Sequence, residues 1–381
     1  MISEILTEEQ RAFVESIRDF ARRECGTREQ RDALTGNGRE FHNQELYERI
    51  ADLGWLGVAI PEQYGGLGGG AVDLCLLCEE FARGQIPMAF FPISMMTARP
   101  VERFAGEELK REILGGIVEG RVEAIAMSEP EAGSDVGNLS CRADRVDGGY
   151  VLNGQKTWIT GAHAARHILV VCRTSRTRNK HEGMSMISVP AGTDGLEIRG
   201  IETMGGREVN DVFFTDCHVP ADRLVGREDH AWMQLMTGLN NERLIIAAQS
   251  LGIAQRAFDD VLAYVKERKQ FGRPIGSFQT LRHRFADLAT ELEATRLLIY
   301  DLAGRVDANP DTLFPREASM AKLKATEVAK RTALDGIQMM GGYGYAVEYD
   351  MEHLVRLTVA MTIYGGTSEI QREIISKTYG L

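Results

Sequence analysis

The chain has 381 residues and a net charge of −11, from 44 Lys and Arg against 55 Asp and Glu residues. At roughly 150 residues per domain, this length predicts two or three domains. The composition is that of a soluble globular protein. An acidic chain argues against general nucleic-acid binding, and no apolar run reaches the roughly 20 residues that a membrane-spanning helix needs. We therefore expect neither a nucleic-acid partner nor a membrane.

Cysteine and histidine form neither a metal-site pattern nor a disulfide framework. Six cysteines are too few for such a framework, and Cys75 and Cys78 form a lone C-x-x-C whose favoured role is core packing. His163 and His167 lack the glutamate of a zinc-protease helix. The N-terminal sequence MISE lacks the charged-then-apolar pattern of a signal peptide, so none is expected. We expect no metal and a cytoplasmic location.

Residues 1 to about 120 are predicted to be mostly helical. The sequence from Thr7 to Gln10 is a capping box, and apolar residues recur at helical spacing behind it. Further helices are expected near 43–53 and over 71–83.

Between about 123 and 230 the pattern changes to short β-rich runs. These runs cover 123–127, 150–152, 168–172, 184–189 and 212–214. Turn signals such as Asn153-Gly154 separate them, and no long helix intervenes. The pattern therefore predicts a compact antiparallel unit rather than βαβ layers.

From about 231 the chain is predicted to be helical again. The helical stretches cover 244–269, 278–307, 315–341 and about 367–378. The order of helices, strands and helices predicts an α+β protein. Its expected domains are an N-terminal helical domain over 1–121, a middle β-domain over 122–231 and a C-terminal helical domain over 232–381.

A glycine loop from Gly66 to Ala71 formally matches the dinucleotide fingerprint G-x-G-x-x-[GA]. That fingerprint also needs a βαβ unit and an acidic residue about 20 positions further on. Positions 86–98 contain no acidic residue. A turn-forming loop is therefore favoured over a nicotinamide site.

Two motifs of the middle region suit a polar or planar ligand. The loop from Glu129 to Asp135 has glycine, hydroxyl and N–H groups that can hold a phosphate or a polar ring edge, and an ordinary connecting loop fits it equally well. Trp158 and Thr160 follow a hairpin signal, where an indole can lie against a planar ring. A buried tryptophan is the simpler interpretation.

Three further motifs lie at helix ends. The sequence 267–272, ERKQFG, ends the long helix, where an arginine can complement the helix dipole or bind a diphosphate; a solvated helix end is the alternative. The sequence 338–342 closes another helix with glycines. The loop 364–369, YGGTSE, opens the last helix, and its N–H groups can face an anion or a flavin edge.

Taken together, these motifs resemble those of the acyl-CoA dehydrogenase family over nearly the whole chain. Five of them occur in the family's order: IPEQYGG at 60–66, EPEAGSD at 129–135, NGQKTWIT at 153–160, ERKQFG at 267–272 and YGGTSE at 364–369. The resemblance implies a middle antiparallel β-domain between an N-terminal helical domain and a C-terminal four-helix bundle. It also implies FAD as the cofactor and a homotetramer.

The resemblance assigns roles to individual residues. Ser128, Trp158 and Thr160 would meet the flavin, with Thr160 near N5, and Ser134 would lie near the bound thioester and the cofactor. The other cofactor contacts would be Arg268, Phe271, Gln279, Gln338 and Gly342, across a subunit boundary, with Thr367 and Glu369. The other substrate contacts would be Arg243, Tyr364, Gly365 and Gly366.

One position departs from the commonest pattern of the family. Many members carry the catalytic glutamate directly after the tyrosine of the last motif, where this chain has Gly365. Isovaleryl- and long-chain-type members carry it on the long C-terminal helix, where this chain has Glu242. The resemblance therefore implies Glu242 as the base, with Arg243 positioning it. A first-turn residue stabilised by the helix dipole is the alternative.

The implied reaction is the FAD-dependent conversion of an acyl-CoA thioester to a trans-2-enoyl-CoA, with an electron-transfer flavoprotein as electron acceptor. A thioester α-proton is weakly acidic, so the reaction needs a general base and stabilisation of the enolate oxygen. Two alternatives stay open. One is a flavin oxidase or enoyl-thioester reductase of the same fold, and the other is an inactive FAD-binding partner subunit.

Overall fold

The computed structural model describes residues 6–236 and 238–381, with residues 239 and 240 described by their backbone alone. The chain divides into two compact units. The helical unit comprises the chain up to Ala33 with Gly70–Ile86 and Asn240–Leu381, and the sheet unit comprises Leu34–Gly69 and Pro87–Leu239. The N-terminal residues on which the signal-peptide expectation depends lie outside the described part.

The helices follow the chain in this order: α1 (Glu8–Cys25), α2 (Arg28–Thr35), α3 (Gln44–Asp52), α4 (Ala71–Arg83), α5 (Phe90–Phe104), α6 (Glu107–Val118), α7 (Ala231–Met236), α8 (Leu239–Glu267), α9 (Gln279–Ala308), α10 (Pro315–Met340), α11 (Gly342–Tyr345), α12 (Met351–Met361) and α13 (Ser368–Lys377). Helices α3, α5, α6 and α7 lie in the sheet unit. None of the described helices has the length and apolar character needed to cross a bilayer.

Long helices form the core of the helical unit. Helix α10 packs against α9, α12 and α13, and α4 packs against α1 and α9. The capping box at Thr7 begins α1, as the sequence predicts. Cys75 and Cys78 are both buried on α4, and burial raises the pKa of each thiol. This matches the core-packing interpretation of the C-x-x-C sequence.

The predicted helices are present, with two differences in the C-terminal half. The long helix α8 begins at Leu239 rather than 244, so Glu242 lies in its first turn. The short helices α11 and α12 follow α10, in a stretch for which no helix was predicted. Helix α12 adds Met351, Leu354 and Met361 to a buried core that α8 and α10 also line.

The strands are β1 (Val122–Ala126), β2 (Arg142–Val146), β3 (Gly149–Thr160), β4 (Ala165–Arg173), β5 (Met184–Pro190), β6 (Leu196–Thr203), β7 (Gly206–Pro220), β8 (Leu224–Val225), β9 (Lys269–Gln270) and β10 (Arg273–Pro274). Strands β1–β8 form one sheet with the order β6-β7-β3-β2-β4-β5-β8, in which β1 pairs with β4. Strands β9 and β10 form a separate hairpin in the helical unit.

The sheet is antiparallel except where β4 meets two earlier strands. Strand β1 pairs with β4 in parallel along its whole length, and β2 makes one parallel residue pair with β4. The sequence pattern predicted an antiparallel unit, so these parallel pairs are a correction. The β2–β3 hairpin lies between β1 and β4, and it makes the connection long enough for a parallel pair.

Candidate active site

The loop before α13 turns on two glycines. Gly365 has φ +62° and Gly366 has φ +83°, a left-handed conformation that glycine adopts without the steric cost of a Cβ. Gln371 Nε2 donates to the Gly365 and Gly366 carbonyls at 2.9 and 3.0 Å. Lys322 Nζ also donates to the Gly366 carbonyl, at 2.8 Å. Within the described chain, the N–H groups of both glycines have no hydrogen-bond acceptor.

The carboxylate of Glu242 lies directly beside this loop. A Cβ placed on Gly365 would lie 3.4 Å from Glu242 Oε1 and would clash with Ile246 Cδ1. Glu242 and Ile246 are four residues apart on α8 and therefore share one face of that helix. The structure thus brings together the two positions that the sequence analysis compared, residues 242 and 365.

Burial and two cations act in opposite directions on the pKa of Glu242. Burial raises the pKa of this carboxyl, and Arg243 and Lys322 oppose that rise. No hydrogen bond to the Glu242 carboxylate is present among the described residues. Arg243 is buried, and its Nε likewise lacks a partner in the described chain. Lys322 is fully buried, and burial lowers its pKa to about 8.

Thr367 and Glu369 form the N-terminus of α13. The Thr367 hydroxyl accepts a hydrogen bond from the Ile370 N–H at 3.3 Å, which caps the helix as Ser, Thr, Asp and Asn commonly do. Glu369 is exposed in the first turn. Backbone N–H donation and the Thr367 hydroxyl lower the pKa of its carboxyl.

Arg268 lies at the rim of an open groove on the helical unit. Its guanidinium lies 5.0 Å from the centre of the Tyr343 ring, next to Gly342. Both side chains line the groove, which has a volume of about 570 Å³ and also includes Tyr264 and Tyr349. The structure thus brings Arg268 close to Gly342, two of the predicted cofactor contacts.

Three other predicted contacts lie on exposed surface. Phe271 is 93% exposed at the tip of the β9–β10 hairpin, where it and Gly272 both have positive φ. Such a two-residue turn matches the twist of a hairpin. Gln279 begins α9 and Gln338 lies near the end of α10, both exposed. In the described chain, neither glutamine hydrogen-bonds with Arg268.

Trp158 is exposed, so the simpler interpretation of a buried tryptophan is wrong. It lies at a bulge where the register of β3 against β7 shifts between Lys156 and Ile159. Its φ of +62° is rare for a bulky side chain, and its side chain is 60% exposed. The bulge reverses the normal alternation and turns the indole outward. Thr160 follows at the end of β3 and is partly buried.

Ser128 lies beside the same bulge, because its carbonyl accepts a hydrogen bond from the Thr157 N–H at 3.0 Å. A buried ion pair supports this contact. Lys156 Nζ donates to Glu129 Oε1 at 2.8 Å and to the Met127 carbonyl at 2.9 Å. Residues 127–129 are therefore held against β3.

The Glu129 carboxylate also accepts hydrogen bonds from the N–H groups of Ser140 and Cys141. Burial alone would raise the pKa of this carboxyl, but Lys156 and these donors hold it below its usual value. Ser134 lies in an exposed turn further along the loop.

Three residues of these sites were not predicted from the sequence: Lys322, Gln371 and Lys156. One sequence signal was available for Lys322. It interrupts a run of small residues on α10, Ala318, Ser319 and Ala321, all of which are buried. A charged residue within a face of small buried side chains is unusual and indicates a specific partner.

Comparison with known proteins identifies the family. Models of the acyl-CoA dehydrogenase N-terminal, middle and C-terminal domains match residues 7–121, 124–217 and 230–380. A probable acyl-CoA dehydrogenase of Bacillus subtilis, YngJ, is 37% identical over 98% of both chains. The mitochondrial isovaleryl-CoA dehydrogenase of Solanum tuberosum is 35% identical over 97% of this chain and 90% of its own. The subunit CarC of the caffeyl-CoA reductase-Etf complex of Acetobacterium woodii is 35% identical over 94% and 95%.

Solved structures share the fold. An acyl-CoA dehydrogenase from Geobacillus kaustophilus has a TM-score of 0.93 at 31% identity and covers 99% of both chains. An FAD complex of PigA has a TM-score of 0.92 at 28% identity, over 99% of this chain and 98% of its own. Fold and sequence together define a flavin-dependent oxidoreductase. The chain belongs to the acyl-CoA dehydrogenase family.

Proposed function

We propose that the protein is an FAD-dependent acyl-CoA dehydrogenase in which Glu242 removes the α-proton and the product is a trans-2-enoyl-CoA. One observation carries this proposal. Glu242 Oε1 lies 3.4 Å from the point where a side chain at position 365 would begin, and many family members carry their base at that position. A carboxylate on α8 therefore occupies the space that a carboxylate on the loop would otherwise reach.

The surroundings of Glu242 suit a general base. Its carboxylate accepts no hydrogen bond within the described chain, so its oxygen atoms are available to a substrate proton. Burial raises its pKa towards the working pH, which is where proton transfer is most effective. Arg243 and Lys322 oppose that rise and favour the ionised form of the carboxyl.

The Gly365 N–H is the proposed donor to the thioester oxygen. It has no acceptor in the described chain, and two side-chain donors hold the loop carbonyls. A fixed N–H directed at the oxygen that gains charge is usually among the largest contributions to catalysis. We propose Ser134, Arg243, Tyr364 and Gly366 as the other substrate contacts.

The residues present fit FAD. An exposed indole on a strained bulge is a suitable surface for a planar ring, and Trp158 is such a residue. When bound, FAD supplies the acceptor for the hydrogen that leaves the β-carbon. Besides Trp158, we propose that the cofactor contacts Ser128, Ser134, Thr160, Arg268, Phe271, Gln279, Gln338, Gly342, Thr367 and Glu369.

Arg268 is expected to hold FAD across a subunit boundary in a homotetramer. Its guanidinium lies beside an open groove, and a charge-assisted hydrogen bond to a diphosphate contributes about 1.5–3 kcal/mol. Arg268→Ala should therefore weaken FAD binding by about 10- to 100-fold in equilibrium dialysis. The control is Arg331→Ala, which removes an exposed arginine paired within its own helix. A monomer in light scattering with full FAD occupancy would contradict the shared site.

Anaerobic flavin bleaching tests the dehydrogenase proposal directly. The protein reconstituted with FAD is mixed with straight and branched acyl-CoA esters, and its absorbance near 450 nm is followed. We expect at least one ester to bleach the flavin and to appear as the enoyl-CoA in equal amount. Bleaching by none of the esters, with FAD bound, would favour an inactive partner subunit.

A reductase is the second candidate, because a relative that is 35% identical is the CarC subunit of the caffeyl-CoA reductase-Etf complex. The same carboxylate can return a proton to the α-carbon. Electron transfer to or from an electron-transfer flavoprotein distinguishes oxidation of acyl-CoA from reduction of enoyl-CoA. Reduction of that partner by acyl-CoA supports the dehydrogenase, whereas faster oxidation of the reduced enzyme by enoyl-CoA supports the reductase. Hydrogen peroxide release in air would identify an oxidase.

A further inference from the structure

We propose that Lys322 is a positioning residue of this active site, which holds the Gly365–Gly366 loop through the Gly366 carbonyl and places its charge at the same loop that the Glu242 carboxylate lies beside. The inference rests on the proposed role of Glu242 as the base.

The position of Lys322 is costly for stability alone. Its side chain is fully buried, and Ala318 and Ala325, which lie on the same face of α10, are buried as well. Burying an ammonium group is unfavourable unless it is paired and hydrogen-bonded. Its one hydrogen bond within the described chain goes to a backbone carbonyl, at 2.8 Å. An apolar side chain would fill the same space on α10. Packing therefore does not explain why position 322 carries a positive charge and a hydrogen bond to the Gly366 carbonyl.

The hydrogen bond acts on the loop geometry. Lys322 and Gln371 hold the two successive carbonyls of Gly365 and Gly366. The chain turns at these two glycines, and successive N–H groups in a turn can form a concave site that binds a negatively charged oxygen. Both N–H groups are without an acceptor in the described chain. Lys322 therefore stabilises the proposed thioester site through the Gly366 carbonyl, while the N–H groups of the loop stay available to the substrate.

The charge acts on Glu242. Arg243 on α8 and Lys322 on α10 are the two cations that lower the pKa of this carboxyl against the effect of burial. The charged groups that face Lys322 are Glu242 and Arg243, with Glu327 on its own helix and Glu369 on α13. Removal of the Lys322 charge leaves Arg243 alone to oppose the burial of Glu242. The pKa of Glu242 should then rise.

The test compares Lys322→Met, which removes the charge and the donor, with Lys322→Arg, which keeps both. Flavin reduction by a good acyl-CoA is measured against pH in stopped flow. We expect Lys322→Met to move the acid side of the profile upward by about one pH unit and to lower the limiting rate about tenfold. Lys322→Arg should restore the acid side to its wild-type position.

The matched control is Lys324→Met, because Lys324 lies on the same helix, is 39% exposed and pairs with Glu291. Its profile should coincide with that of the wild type. An infrared difference titration of each protein against its Glu242→Gln counterpart measures the carboxyl pKa without turnover, and it should show the same upward shift. If Lys322→Met does not fold, Lys322→Gln, which also lacks the charge, replaces it.

Two outcomes separate this inference from the proposed function. If the wild type is reduced by acyl-CoA and Lys322→Met shows an unchanged acid side and an unchanged infrared pKa, Lys322 has only a structural role and the inference is wrong. If the flavin of Glu242→Gln is reduced at the wild-type rate, Glu242 is not the base. The proposed function is then wrong, independently of the results for the Lys322 variants.

Discussion

Replacing Glu242 by glutamine is expected to slow flavin reduction by acyl-CoA at least about 100-fold, while FAD and acyl-CoA still bind. Glutamine keeps the size of the side chain beside Gly365 but cannot accept the α-proton, and a general base contributes roughly 10²–10⁴-fold. Stopped-flow bleaching at saturating substrate measures the rate, and dialysis measures both affinities.

The control for this variant is Glu373→Gln, which neutralises an exposed carboxylate on α13 paired with Lys377 and should leave the rate unchanged. In the wild type, flavin reduction should slow as the pH falls through the raised pKa of Glu242. A wild-type rate for Glu242→Gln with a good substrate would show that another group is the base.

A glutamate at position 365 tests whether the base can be moved. The combination of Glu242→Gln with Gly365→Glu places the carboxylate on the loop, but a Cβ at Gly365 would clash with Ile246 Cδ1. The left-handed backbone costs a further roughly 1–2 kcal/mol for a residue with a Cβ. We therefore expect recovery of the rate only when Ile246→Ala is added. Recovery without Ile246→Ala would show that the loop rearranges more easily than this packing indicates.

Replacing Lys156 by methionine is expected to destabilise the protein by about 3–5 kcal/mol, because it leaves the Glu129 carboxylate buried without its cation. Lys156 is fully buried and Glu129 is 5% exposed, and the two are 2.8 Å apart. The free energy of unfolding from urea denaturation measures the effect. The control is Lys180→Met. The side chains of Lys180 and Asp135, which form an ion pair, are each more than half exposed, so the loss of this pair should cost about 0–1 kcal/mol.

The effect of Lys156→Met should depend on pH in a defined direction. In the wild type the pKa of Glu129 is lowered in the folded state. The pair therefore stabilises the protein above the unfolded pKa of roughly 4.3, and this stabilisation is lost as the pH falls through the folded pKa. In the variant, protonation of Glu129 removes a buried charge that has no cation beside it and so stabilises the folded state. The difference in stability between the two proteins should therefore shrink on acidification, and a constant difference would contradict the account.

Local patterns predicted the elements because helix starts and strand alternation depend on neighbouring residues. The capping box at Thr7, the end of α4 at Arg83 and the change from helical to strand periodicity near 123 are such patterns. Motif order also led to the family resemblance, which the comparisons confirm. The absence of a side chain at Gly365 was itself a sequence signal, since it directed attention to Glu242.

The sequence by itself therefore determined the order of the elements, the family and a candidate for the base. Only the tertiary structure decided which distant residues meet. Glu242 reaches Gly365 because α8 and the loop before α13 fold into one unit, and Lys322 is buried on α10, against which α9, α12 and α13 pack. Trp158 is exposed because a bulge against β7 shifts the register of β3. Packing and strand pairing between remote segments produce these features, and no local periodicity records them.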